Sequence, residues 1–227
     1  MTGNPAILDH QLMQHHLNDS PKVTLRGENL ECVRNDMTLF RDLDFQLSGG
    51  ELLQVVGPNG SGKTSLLRIV CGLAQPDSGS VCWNGSDIRI DAPEFRKEIN
   101  YIGYHNGIKE ALTPLENLNI ARALTVAREG ISVTETLHRF GLKGYVHVPV
   151  RKLSSGQRRR VALSRLLLSR ARLWVLDEPF TALDDQAKQL IQDIVVSHVN
   201  NDGGMVMLAT HDPVEFRNCR LNRIQLR

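Results

Sequence analysis

The sequence predicts an α/β fold with a mostly parallel sheet, and three observations carry that expectation. Short apolar runs alternate with helical patterns at both ends of the chain. A glycine-rich segment, Gly57 to Thr64, separates one such run from a helix. A second run, Leu173 to Leu176, ends in two adjacent carboxylates, Asp177 and Glu178. Ligands of open parallel sheets sit at the carboxyl ends of such strands.

The elements follow in order. Leu43, Phe45 and Leu47 alternate, the period of a half-buried strand, and Gly49-Gly50 turns the chain. Glu51 to Val56 is a short apolar strand, and the leucine-rich Ser65 to Leu73 is a helix. Val81 and Trp83 alternate before Asn84-Gly85, a tight-turn signal. The stretch over roughly 93–165 reads as helices alone. Thr113-Pro114-Leu115-Glu116 has the layout of a capping box with proline at the first helical position, and Ser132 to Glu135 repeats the pattern ahead of a stop at Gly141. A further helix is expected from Ser154, carrying Val161, Leu163, Leu166 and Leu167. Leu173 to Leu176 and Met205 to Ala209 are continuous apolar runs, as in strands buried on both faces. Between them, Leu190, Ile191, Ile194, Val195 and His198 fall on one helical face.

Composition bounds the function. Apolar residues make up 41% of 227, enough for a sizeable core, and a net charge of +2 is too close to balance to argue for nucleic acid or an anionic membrane surface, so no nucleic-acid partner is expected. The four cysteines lack the spacing of a zinc site or a disulfide frame. No apolar run reaches the ~20 residues that span a bilayer. The first 20 residues lack a basic start and an apolar core, so they are expected to form a weakly ordered extension rather than a secretory signal. His10, His15 and His16 there read as a solvated tail rather than a metal site. Residues 21–227 are expected to form one domain.

Gly57-Pro58-Asn59-Gly60-Ser61-Gly62-Lys63-Thr64 fits GxxxxGK[ST]. Glycines let successive backbone N–H groups converge on phosphate oxygens, and the following helix, from Ser65 on, adds its positive dipole end. Lys63 can reach the β- and γ-phosphates, and the Thr64 hydroxyl can ligate Mg²⁺. Such a match arises by accident in about one chain in a hundred of this length. Asp177, at its strand end, is placed to hold the same ion, and Glu178 to act on an attacking water. A nucleoside triphosphate and Mg²⁺ are therefore the expected ligands, and the phosphate loop alone does not say which nucleotide.

Leu153-Ser154-Ser155-Gly156-Gln157 resembles the signature sequence of ATP-binding cassette proteins, with Ser155 in place of the first glycine. Thr181-Ala182-Leu183-Asp184 resembles that family's D-loop, and His211 its switch histidine. The resemblance runs from about Val23 to the end of the chain. It implies a P-loop NTPase core with a mostly parallel sheet, an antiparallel β edge subdomain and an inserted helical signature subdomain. It also implies a homodimer that sandwiches ATP between the P-loop of one subunit and the signature of the other, with Asp184 near the interface. Arg34 occupies the place of the family's adenine-stacking aromatic, and a guanidinium can also stack on a base. At the place of the family's Q-loop glutamine, which touches Mg²⁺ or the attacking water, stands Tyr104-His105-Asn106; spacing favours His105, with Asn106 the alternative. The run Arg158-Arg159-Arg160 reads as a basic helix face near phosphates or as simple solvation.

Within the family the segments around Gly107-Ile108-Lys109, GQRRRVALSRL, Trp174 and DEPFTALD are most similar to ATP-binding subunits of bacterial cytochrome c maturation systems. That implies an ATPase coupled to heme export or heme-chaperone release. Its partners would be an integral membrane permease and further heme-handling membrane proteins, and its place the cytoplasmic face of the inner membrane, as a peripheral subunit. A cassette for another substrate would show the same chemistry. A soluble cassette of DNA repair or translation would carry two cassettes or a long coiled-coil insertion. A GTPase would carry NKxD, which this chain lacks.

Overall fold

The structure is a computed structural model that describes residues 23–227. The extension expected over residues 1–20, with its three histidines, lies outside the described residues. In chain order the strands are Thr24–Arg34 (β1), Met37–Ser48 (β2), Glu51–Val56 (β3), Ser78–Trp83 (β4), Ser86–Asp87 (β5), Ile99–Ile102 (β6), Leu173–Asp177 (β7), Met205–Thr210 (β8) and Arg220–Gln225 (β9). The helices are Lys63–Val70 (α1), Ala92–Lys97 (α2), Pro114–Ala123 (α3), Val133–Arg139 (α4), Ser155–Ser164 (α5) and Asp185–Asn200 (α6).

Two sheets result. One is antiparallel, in the order β2-β1-β4-β5. Its hairpins turn at Asn35-Asp36 and Asn84-Gly85, all four residues at positive φ, the geometry that matches strand twist in two-residue turns. The other is parallel throughout, in the order β6-β7-β8-β3-β9. Every residue of β7 and β8 is buried. Side chains alternate across them, so Leu173, Val175, Met205 and Met207 join Leu66 and Leu67 of α1 in one core. Trp174, Leu176, Val206 and Leu208 join Ile191, Ile194 and Val195 of α6 in the other.

Thr113 and Glu116 make the expected reciprocal capping box at α3. At α4 only half of the repeated pattern forms: the Ser132 hydroxyl accepts from the Glu135 N–H, without a return bond to the Glu135 carboxylate. The chain leaves α4 through Gly141 at φ 70°. The stretch 93–165 is not helical alone, however. β6 lies inside it and adds to the edge of the parallel sheet beside β7. Four residues are too few to show a strand period, and the pairing with β7 decides them. β1 and β9 carry little signal for other reasons: bulges interrupt β1, and β9 is an edge strand with a largely exposed pattern.

His198 closes the bottom of the second core. Its ring stacks on Trp174 with centroids 3.7 Å apart and planes 1° from parallel. Nε2 lies 3.1 Å from the Arg172 carbonyl, which can only accept, so Nε2 carries the proton. Burial pushes the His198 pKa below its ordinary 6.5, against the opposing pull of the Arg172 carbonyl and Asp202. An unfolded chain takes up this proton near pH 6.5, the folded chain only at lower pH. The stability from a neutral His198 is therefore fully present above about pH 6.5 and falls on acidification. Denaturation midpoints measured between pH 7.5 and 5 should drop, and His198→Gln should flatten that drop; an unchanged slope in the variant would remove His198 as its source. A Cβ at Gly204 would lie 2.2 Å from His198 Nε2. Gly204→Ala should therefore cost about 1–3 kcal/mol by overpacking, read from the same midpoints.

Candidate active site

The site is built where β3, β7 and β8 end. Residues 57–62 leave β3 as a loop and enter α1 through Gly62, which caps the helix at φ 96°, a conformation that favours glycine. Lys63 is buried, and its ammonium donates to the carbonyls of Gly57 at 2.6 Å and Pro58 at 3.0 Å. It also faces Glu178 Oε1 at 3.9 Å. One residue on, the Thr64 hydroxyl donates to Asp177 Oδ2 at 2.8 Å, joining the phosphate loop to the end of β7.

Glu178 follows β7 at φ 48°, a left-handed conformation that costs a side chain of this kind about 1–2 kcal/mol. Its N–H donates to the Ala209 carbonyl of β8. Its Oε2 lies 3.0 Å from His211 Nδ1, so that nitrogen donates to the carboxylate. A cleft of about 400 Å³ joins these groups: Asn59, Gly60 and residues 62–65, Asp177, Glu178, Thr181 and His211, with Leu39 and Tyr104 at its edges.

Two oxygens at the site test whether the residues suit a phosphate and a divalent ion. Ser61 Oγ and Asp177 Oδ1 are buried with no hydrogen-bond partner among the described residues. A buried polar atom left unpaired costs about 1–3 kcal/mol, which an external ligand would relieve. The donor set of Thr64 Oγ1 and Asp177 is oxygen only, as a hard divalent cation prefers.

The signature residues stand apart from this cleft. Ser154 caps α5, accepting from the Gln157 N–H at 3.2 Å, while Gln157 Oε1 accepts from the Ser154 N–H at 2.8 Å. Ser154 and Ser155 are exposed and neither lines the cleft. A Cβ at Gly156 would lie 2.6 Å from the Ala182 carbonyl, so this glycine lets α5 press against the 181–184 segment. Asp184 is used within its own chain, where it accepts from the Ala187 N–H to cap α6.

Three expectations meet a different arrangement. Arg34, expected as a free plane for adenine, donates to its neighbour's Val33 carbonyl and faces Asp77 at 3.4 Å, and it does not line the cleft. His105 is exposed and packs edge-on against Tyr104, with ring centroids 5.6 Å apart. Tyr104, not His105, lines the cleft, and Asn106 Oδ1 accepts from Arg159. The basic run is not uniformly solvated either. Arg158 faces Glu110 at 3.7 Å, but Arg159 is only 4% exposed. Its position, three and four residues before Ala162 and Leu163, places it on the buried stripe of α5, a spacing legible in the sequence.

Burial lowers the Arg159 pKa to about 10, against the pull of the Asp177 and Glu178 carboxylates, so the group stays charged near neutral pH.

Comparisons with known proteins give the family. Residues 40–181, more than half of the chain, match the family model described as ABC transporter. The chain is 46% identical over 208 residues to the cytochrome c biogenesis ATP-binding export protein CcmA of Nitrosomonas europaea, covering 91% of this chain and 97% of that protein. It is 46% identical over 187 residues to the protein of the same description from Yersinia pseudotuberculosis, covering 82% and 85%. Among solved structures, a putative ABC transporter ATP-binding protein from Pyrococcus furiosus superposes with a TM-score of 0.74 at 20% identity, covering 89% of this chain and 97% of that one. A match of this extent, over a chain that carries the phosphate loop and the paired carboxylates in one cleft, shows that the protein belongs to the ABC transporter family.

Proposed function

We propose that this chain is the ATP-hydrolysing subunit of a membrane transporter complex serving cytochrome c biogenesis, in heme export or the release of a heme chaperone. The observation that carries the chemistry is one cleft in which Lys63, Thr64, Asp177, Glu178 and His211 converge. Residues 57–64 cradle the phosphates of ATP through backbone N–H groups, and Lys63 exchanges its carbonyl contacts for the β- and γ-phosphates. Thr64 and Asp177 would hold Mg²⁺, which supplies Lewis-acid neutralisation of phosphate charge. Glu178 accepts a proton from the attacking water, and His211, bonded to its other oxygen, keeps the carboxylate aimed. The similarity to cytochrome c biogenesis export proteins over nearly the whole chain supports the choice of complex.

A single chain leaves Ser154 and Ser155 exposed and away from its own cleft. In the proposed two-fold dimer they close over the phosphates bound by the partner. Arg34, at the end of β1, and His105, in the loop after β6, would serve as rim contacts to the base and to the metal-bound water. No helix among the described residues is long and apolar enough to cross a membrane. The proposed permease is a separate partner chain. A groove of about 260 Å³ between Gly107–Lys109 and α3, edged by Ile120 and Leu124, offers that permease an apolar seat. The complex then sits at the cytoplasmic face of a bacterial inner membrane, with this chain peripheral.

Lys63→Ala should lower ATP turnover by about 10²-fold or more, measured as phosphate release. Glu178→Gln should bind ATP and fail to hydrolyse it, so that size-exclusion chromatography with MgATP shows an accumulated dimer. A Glu178→Gln chain that stays monomeric and hydrolyses ATP would remove both the base and the sandwich. For the pathway, deletion of the gene should abolish mature c-type cytochromes, with rescue by the wild-type chain and not by Lys63→Ala; intact cytochromes after deletion would point to another cargo.

A further inference from the structure

The mechanism above leaves unused the most heavily bonded cation among the described residues. Arg159 reaches five acceptors from two sides. On one edge its guanidinium donates to three successive carbonyls: Nη2 to Asp177 at 2.7 Å and to Glu178 at 3.0 Å, and Nε to Pro179 at 3.4 Å. On the other edge Nη1 donates to the Gly103 carbonyl at 2.9 Å and to Asn106 Oδ1 at 3.1 Å. None of these acceptors is a carboxylate, so charge pairing alone does not explain the arrangement. What the five share is geometry. A planar fork of donors converges on the backbone that turns out of β7, where Glu178 holds its left-handed conformation.

We propose that Arg159 is a positioning residue for Glu178: its guanidinium fixes the backbone that aims the carboxylate and ties it to the segment from Gly103 to Asn106. Carbonyls 177 to 179 must face inward together for Glu178 to turn toward the cleft, and the fork holds all three. A displacement of the 103–106 segment then pulls on the same planar group and reaches the carboxylate without any contact to nucleotide. Arg165 provides the comparison. It clamps the same segment through the carbonyls of Tyr101, Asn106 and Gly107, and among the described residues it makes no hydrogen bond to residues 177–179.

The inference rests on Glu178 acting on the attacking water, and the two can fail separately. Turnover is measured with MgATP for wild type, Arg159→Lys, Arg159→Gln and Arg165→Lys, with thermal midpoint and fluorescent-nucleotide affinity as checks of folding. A lysine keeps the charge and loses the fork. Arg159→Lys should lower kcat by about tenfold or more with KM within about threefold, the pattern of an interaction that acts on the reacting groups rather than on binding. Arg159→Gln should lower kcat at least as far. Arg165→Lys should keep kcat within about twofold. Full kcat in Arg159→Lys, an equal loss in Arg165→Lys, a parallel collapse of nucleotide affinity, or failure of both Arg159 variants to fold would each overturn the proposal. Continued hydrolysis by Glu178→Gln would instead remove the base on which it rests.

Discussion

The register of the parallel sheet is the constraint on which the site depends. Val56 pairs with Thr210 and Asp177 with Ala209, so β3, β7 and β8 end on one rim. Their continuations bring three chain segments far apart in sequence to one cleft: the phosphate loop, the carboxylate pair and His211. A slip of one residue in β7 would turn Asp177 to the opposite face of the sheet and break its bond to Thr64. Burial on both faces resists that slip, because Leu173 and Val175 serve one core while Trp174 and Leu176 serve the other.

Above that rim the electrostatics are balanced locally. Lys63, Asp177 and Arg159 are buried side by side, and isolated burial of any one would be costly. Each is answered by hydrogen bonds: Lys63 by loop carbonyls, Asp177 by Thr64, Arg159 by five acceptors. The balance is incomplete at Ser61 Oγ and Asp177 Oδ1, and both oxygens lie beside the phosphate loop. A site arranged this way is preorganised for an anionic ligand and a cation, since little protein reorganisation stands between it and the bound state.

The helical block serves the site from outside. α5 presents Ser154 and Ser155 to solvent while its buried stripe, through Arg159, holds the turn after β7. One helix thus carries both an exposed surface and an internal strut. Gly156 lets it approach the 181–184 segment closely enough for both to be shaped together.

The sequence by itself determined the elements whose signals are local. The phosphate loop, the capping box at Thr113, the helix start at Ser154 and the doubly buried runs of β7 and β8 each depend on residues within one segment, so spacing alone reveals them. The chemical types of Lys63, Thr64, Asp177 and Glu178 were legible for the same reason, and His211 through the family resemblance. Tertiary structure decided what depends on neighbours distant in the chain. β6 is a strand because β7 pairs with it, and β9 because β3 does. Arg34 is engaged by Asp77, and Tyr104 rather than His105 meets the cleft, because a loop's side chains point where packing sends them. Spacing to Ala162 and Leu163 places Arg159 on the buried face of α5, but its partners are set only when α5 packs over the end of β7. Only then do five carbonyl and amide oxygens, none near it in sequence, gather around its guanidinium.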